Sequence, residues 1–137
     1  MIIVDTNVIT EFLKPRPSPS VARWMRYAGD DLYTTAPNEA EARYGIERMT
    51  DGQRKRQMEG FIDQIFTARF RDRVLPFDSQ AAKVLAFFLA QETRSGRNYG
   101  AFDAQIIAIA KVHGATIATG DTDFDHSGVP LINPWTA

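Results

Sequence analysis

Short apolar runs separated by longer stretches of helical period constrain this chain to a layered α/β fold. Met1-Ile2-Ile3-Val4, Leu32-Tyr33-Thr34, Val74-Leu75-Pro76-Phe77, Thr116-Ile117-Ala118-Thr119 and Val129 to Ile132 read as strands. Between them, Asp5 to Leu13 reads as a helix stopped by the proline-rich loop Lys14-Pro15-Arg16-Pro17-Ser18-Pro19, because proline cannot sit inside a helix. Ser18 or Ser20 caps a second helix through about Ala28, with Val21, Trp24, Met25 and Ala28 on one face. Pro37 suits the first turn of a helix to about Met49, and Gln53 to Phe66 has helical period through Met58, Phe61, Ile62, Ile65 and Phe66. Asp78 or Ser79 caps a helix that turns Ala82, Leu85, Ala86 and Leu89 inward and ends near Ser95-Gly96. A last helix from about Ala101 to His113 stops at Gly114, in a left-handed cap. Strands alternating with helices predict a three-layer α/β/α arrangement around a mainly parallel sheet of four or five strands.

The 137 residues suffice for one substantial core and are few for two ordinary domains, so one domain over 1–137 is expected. The chain has no cysteine, which excludes a disulfide framework, thiolate catalysis and Cys-ligated zinc, and suits a reducing compartment; the cytoplasm is the expected location. The apolar start is too short for a signal peptide and lacks its basic flank, and no later run approaches a membrane span. Lys and Arg number 16 against 17 Asp and Glu, so a polyanion would have to be held by local basic patches or through a metal.

The acids carry the chemistry. Asp5 closes the first apolar run, and Asp121 and Asp123 follow the run that ends at Thr119. In open α/β sheets ligands bind beyond the carboxyl ends of the strands, so acids remote in sequence can meet there. Glu39 and Glu41 share a helix but point about 200° apart, so only one can face a given cleft. Glu39 has Arg43 four residues on, the spacing of a surface ion pair. Glu41 has Gly45 in that place, which leaves room for a close approach, and it is the candidate. Asp103 sits in the first turn of an otherwise apolar helix, where the helix dipole stabilises its charge. Each acid also has a purely structural reading: a helix cap for Asp5, a first-turn acid for Asp103. Gathered together they form a site for a hard divalent cation, since carboxylates crowded without one raise one another's pKa. The stretch Asp121-Thr122-Asp123-Phe124-Asp125 is not an EF-hand, because His126 and Ile132 stand where glycine and glutamate are required. Its first two acids can reach the crevice, and Asp125 is expected to face solvent.

Ile3-Val4-Asp5-Thr6-Asn7-Val8-Ile9, Glu41-Ala42-Arg43-Tyr44-Gly45-Ile46, Phe102-Asp103-Ala104-Gln105-Ile106 and Ala118-Thr119-Gly120-Asp121-Thr122-Asp123-Phe124 resemble, in order and spacing, the four acidic signatures of the PIN-domain ribonucleases. Within that superfamily the chain is most similar to the toxins of VapBC-type toxin–antitoxin pairs, particularly the FitB-like members, which end in a segment like Ile132-Asn133-Pro134-Trp135. The resemblance implies a Mg²⁺- or Mn²⁺-dependent endoribonuclease, usually a homodimer, silenced by a cognate antitoxin. It carries Asp5, Glu41 and Asp103 over directly. The fourth position departs from the family pattern, which often has a longer gap than the single Thr122 here; Asp121 ranks ahead of Asp123 for the metal. Thr6, Asn7 and Thr119 match polar positions beside the acids, where they either orient carboxylates and water or cap turns.

Magnesium keeps several waters and needs few carboxylates, so some of the acids would act through water, and metal-activated water would attack the RNA phosphodiester in line. Such chemistry leaves 5′-phosphate and 3′-hydroxyl ends and does not use the 2′-hydroxyl. Metal-free cleavage would instead want paired histidines, and the chain has only His113 and His126. Arg94 and Arg97, just before the Asp103 helix, are the first candidates to grip RNA, ahead of Arg54-Lys55-Arg56 and Arg69-Arg71-Arg73. An aspartyl phosphatase is disfavoured because Asn7 stands where such enzymes need a second aspartate. The remaining alternative is a catalytically silent PIN-like module that binds protein or RNA.

Overall fold

The computed structural model describes residues 1–137. Five strands, β1 (Ile2–Val4), β2 (Leu32–Thr35), β3 (Val74–Leu75), β4 (Thr116–Ala118) and β5 (Leu131–Ile132), pair in the order β3-β2-β1-β4-β5, and every pairing is parallel. β1 is central, with Ile3 opposite Tyr33 on one side and Ile117 on the other. The chain grows outward from β1 through β2 and β3, then returns to the other flank of β1 for β4 and β5. That reversal creates a topological switch between β1 and β4, the position at which a parallel sheet opens a crevice beyond its carboxyl edge.

Six helices cover the two faces: α1 (Thr6–Glu11), α2 (Pro19–Ala28), α3 (Ala36–Glu47), α4 (Gln53–Gln64), α5 (Ser79–Arg94) and α6 (Ala101–His113). Alternate strand residues point to opposite faces, so Val4 and Leu32 join α1 to α4 in one core cluster, while Ile3 and Ile117 join α5 and α6 in the other. Strands this short cannot alternate polar and apolar residues, because helices bury both sides of the sheet. α6 is buried nearly all round, with Ile106, Ile107, Ala108 and Ile109 fully covered, as expected of a helix packed between the sheet and its neighbours.

The local signals behind these elements are capping ones. Ser18 Oγ accepts the Val21 N–H at 3.4 Å and Asp78 Oδ1 accepts the Ala81 N–H at 2.9 Å, which settles the caps of α2 and α5. Gly114 closes α6 with φ 60° and ψ 34°. α4 runs on as a π turn, Ile65–Arg69, in which Phe70 N–H reaches the Ile65 carbonyl at 2.9 Å. Glu11 is covered at the end of α1, and Lys14 at 2.8 Å together with the Ser18 N–H at 3.0 Å holds its carboxylate below the ordinary range. The pair ties the proline-rich loop back onto α1.

Two expectations about helix faces change. In α5 the buried stripe is Ala81 and Phe88 with Val84 and Leu85 half-covered, whereas Ala82, Ala86 and Leu89 lie exposed. Both stripes of this Ala-, Leu- and Phe-rich helix are apolar, so periodicity alone could not choose between registers one residue apart. In α4, Met58 and Ile62 face the core but Phe61 is 56% exposed, and in α5 Phe87 is 68% exposed. The terminal strand is also shorter than expected, beginning at Leu131 rather than Val129.

The Gly114 site offers a clean check on the fold. No atom lies within 4 Å of where its Cβ would stand, so Gly114→Ala meets no clash and carries only the strain of a left-handed backbone. Denaturant unfolding should show a loss of roughly 1–2 kcal/mol, with the chemistry at the opposite end of α6 untouched.

Candidate active site

β1 delivers Asp5 directly past its last residue, and the Asp5 N–H still bonds the Ala118 carbonyl of β4 at 2.9 Å, so the carboxylate starts from the switch point itself. It is 4% exposed. Asp5 occupies the N-cap position of α1, yet its side chain makes no capping bond. Its oxygens turn outward from the helix instead: Oδ1 accepts from Asn38 Nδ2 at 3.1 Å and Oδ2 from the Thr119 hydroxyl at 2.8 Å. Those donors come from α3 and from the end of β4, so Asp5 knits together the elements on both sides of the switch.

Asn38 is the residue that sequence reasoning missed. It is fully buried and saturated: its N–H donates to Thr35 Oγ1 at 3.1 Å, its Oδ1 accepts from that hydroxyl at 2.6 Å, and its Nδ2 reaches Asp5 and Thr6 Oγ1 at 3.1 and 3.0 Å. The available signal was Thr35 three residues before Asn38 at a helix start, a relative of the capping box. Thr119 is the counterpart beyond β4, donating to Asp5 while accepting from Asn7 Nδ2 at 3.1 Å and from the Asp121 N–H at 3.0 Å. Asn7 Oδ1 in turn accepts the Gly120 N–H at 3.3 Å. Thr119 therefore bonds Asp5 directly, Asn7 and Thr119 hold the turn after β4, and the Thr6 hydroxyl braces Asn38.

Asp5, Glu41, Asp103, Asp121 and Asp123 line one concavity of about 320 Å³ together with Thr6, Asn7 and Thr10. No hydrophobic side chain lines it. Glu41 enters from α3, Asp103 from the first turn of α6, and Asp121 and Asp123 from the turn after β4. Asp121 Oδ1 also accepts the Asp123 N–H at 2.9 Å, which shapes that turn. Asp125 is exposed and outside the pocket. Glu39 pairs with Arg43 at 2.8 Å, and Arg43 reaches on to Asp63 at 2.7 Å. No helix exploits the gap at Gly45: a Cβ there would have no atom within 4 Å, and the gap is open space. Arg97 rests 3.6 Å from Glu92 and Arg94 is exposed, and neither lines the acid pocket.

The acids sense one another. Burial, followed by repulsion from Asp5, Glu41, Asp123 and Asp121, pushes the Asp103 carboxyl up to about 7. Burial pushes Asp5 up to about 6, against the lowering influence of the Thr119 hydroxyl bond and the nearby Thr6 backbone N–H, with Glu41 and Asp121 adding to the rise. All charged donors are carboxylate oxygens, a set chemically matched to a hard divalent cation. No three of them stand at the mutual spacing of a closed chelating set.

Comparison with known proteins gives an independent reading of this arrangement. The PIN domain profile matches residues 2–129. The chain is 36% identical over 137 residues to Toxin FitB of Neisseria gonorrhoeae, covering 98% of this chain and 99% of that one. It is 37% identical to VapC ribonuclease Y4jK of Sinorhizobium fredii, with 98% of each chain covered. Among solved structures, FitAcB from Neisseria gonorrhoeae superposes with a TM-score of 0.90 at 35% identity over the full length of both chains.

Both raised carboxyls bind protons more tightly in the folded than in the unfolded chain. Their stabilising contribution is complete below the unfolded value near 4 and is lost as pH rises through about 6 and 7. With divalent cations chelated, the melting temperature should therefore fall from pH 5 to pH 8, and Asp103→Asn should flatten that slope. A melting temperature that climbs over this range would contradict the crowding of the acids. Asn38→Ala should cost roughly 1–3 kcal/mol in chemical unfolding, because it strips a donor from a buried carboxylate.

Proposed function

The chain belongs to the PIN-domain family, and from that premise we propose that it is a divalent-cation-dependent endoribonuclease, the toxin of a toxin–antitoxin pair. The observation that carries this reading is the single polar concavity at the sheet's switch point into which four separate segments send five carboxylates. Two relatives that align along nearly the whole chain, a toxin and a VapC ribonuclease, support RNA as the substrate and toxicity as the role.

Asp5, Asp103 and Asp121 would hold the cation, Mg²⁺ or Mn²⁺ in its place, in part through its waters, and Asp123 would join through water. Held there, such an ion would supply charge neutralisation at the phosphate oxygens and a more acidic water for in-line attack on phosphorus. Asn38 and Thr119 fix the Asp5 carboxylate so that it need not reorganise as charge develops. Glu41, on the α3 side of the pocket, would take the proton from the attacking water. Asn7 holds Thr119 and the Gly120 backbone, and so sets the turn that presents Asp121. Neither histidine lines the pocket, so no imidazole is there to deprotonate a 2′-hydroxyl.

The toxin role requires a cognate antitoxin as partner, and a second copy of the chain completes the working homodimer. Phe61, Phe87, Tyr27 and Tyr44 are large and exposed, and give such partners apolar surface to cover. No helix is long and apolar enough to cross a membrane; we place the action where the RNA is, in the cytoplasm. Arg94 and Arg97 flank the approach to α6 in sequence and remain the proposed backbone contacts.

Asp5→Asn should lower the RNA cleavage rate roughly 10²–10³-fold and abolish the rise in melting temperature on adding Mg²⁺ or Mn²⁺, while leaving a folded protein. A 2′-deoxy substitution at the scissile position should leave cutting intact, and products should carry 5′-phosphate ends. A wild-type protein that melts identically with and without the cations and cuts no RNA would be a silent binding module instead.

A further inference from the structure

Beside the acid pocket lies a larger concavity of about 590 Å³, lined by Asn7, Gly120, Asp121, Thr122, Asn133 and Trp135. The two share Asn7 and Asp121, so a chain whose phosphate meets the acids has this space next to it. Trp135 is the one aromatic side chain that lines either concavity, and it is held in place. The Trp135 backbone N–H donates to Asn133 Oδ1 at 2.9 Å, and the following backbone N–H groups of Thr136 and Ala137 donate to the Asn133 carbonyl at 3.1 and 2.9 Å. Its ring packs against the core cluster formed with α1 to α4 and lies so close to Gly120 that a Cβ there would stand 2.7 and 2.9 Å from two ring carbons. The glycine is required for that approach, and the ring is ordered before any ligand arrives.

The lining contains no Lys, Arg or His and has one carboxylate, so it repels a phosphate. A neutral, flat, hydrogen-bonding group suits it: the indole offers a π surface, the Thr122 hydroxyl is unengaged, and Asn133, its Oδ1 occupied by the Trp135 backbone N–H, keeps its Nδ2 donors free. The volume falls within the range of small-molecule sites, roughly 300–1,000 Å³. We propose that Trp135, Asn133 and Thr122 form a nucleobase subsite that takes the unpaired base of a nucleotide flanking the scissile phosphate. This rests on the nuclease reading and deepens it. A base can enter only if it is splayed out of a helix, so the subsite confines cleavage to loops and single strands.

The test uses binding as well as cleavage. In the full-length Asp5→Asn protein, Trp24→Phe leaves Trp135 as the sole tryptophan, and a short single-stranded oligoribonucleotide should quench its emission. Trp135→Leu should weaken binding of that RNA roughly tenfold, the size of losing one stacked base, and Trp135→Phe should restore most of it. Abasic substitutions moved one position at a time should reveal one nucleotide at which wild-type and Trp135→Leu proteins bind equally. In the Asp5-containing enzyme, Trp135→Leu should raise KM by a similar factor with kcat within about twofold. Equal weakening on intact and abasic RNA at every position, or unchanged emission on saturation, would make the ring structural and overturn the subsite. Cleavage that persists beside either result would leave the nuclease reading standing, and quenching without any cleavage would do the reverse.

Discussion

The rest of the site is arranged around the burial of one carboxylate at the end of the central strand. A negative charge removed from water is costly unless its oxygens are hydrogen-bonded, and Asp5 meets that demand with two neutral donors rather than a cation. Neutral partners matter. An arginine in the place of Asn38 would cancel the charge and leave nothing for a divalent ion to bind. Asn38 and Thr119 instead keep Asp5 oriented without neutralising it, and burial together with the neighbouring acids raises its proton affinity.

The topology explains why those donors are available. β1 lies between β2 and β4, so the loops and helices that leave all three strands surround the same point. Thr34 Oγ1 bonds the Val4 carbonyl at 3.1 Å, fixing the register of β2 against β1 just before Asn38 arrives on α3. Across the switch, the same service comes from Thr119 and Asn7. The fold and the site are thus stabilised by shared bonds. A substitution there acts on stability and chemistry together, which is the usual tension at a pre-organised site. Asp103 arrives differently, carried on a helix buried nearly all round, so its position is set by apolar packing rather than by polar bonds.

Much of this is legible in the chain. The apolar runs end where acids begin, and Asp5, Glu41, Asp103, Asp121 and Asp123, each distinguishable by its place in the sequence, share one pocket in the fold. Glu39 and Glu41 separate as the helix requires, since each residue rotates about 100°, and the Arg43 pair forms at the spacing expected of it. The all-parallel sheet follows from the alternation of element types. The sequence marks Asn38 only as the partner of a capping Thr35: a polar residue in a helix's first turn is ordinarily a solvated or capping residue, and only the proximity of β1 turns it into a buried donor. The buried face of α5 differs from the expected one because two adjacent stripes are equally apolar. Trp135 stands out in the sequence only as part of a terminal motif, since its neighbour, Gly120, lies on another strand's exit.

The amino-acid order by itself determined the local events: where strands stop, which residues cap helices, which side chains share a helix face, and how many carboxylates the chain has to place. These depend on neighbours within a few positions, so they are readable from spacing. Only the tertiary structure decided that Asn38 and Thr119 hold Asp5, that Arg94 and Arg97 do not line the acid pocket, and that Trp135 closes over Gly120 beside it. The bond between Thr119 and Asp5 joins residues 114 positions apart. Such contacts depend on strand order and helix register, which are set by how the whole core packs rather than by any short stretch of sequence.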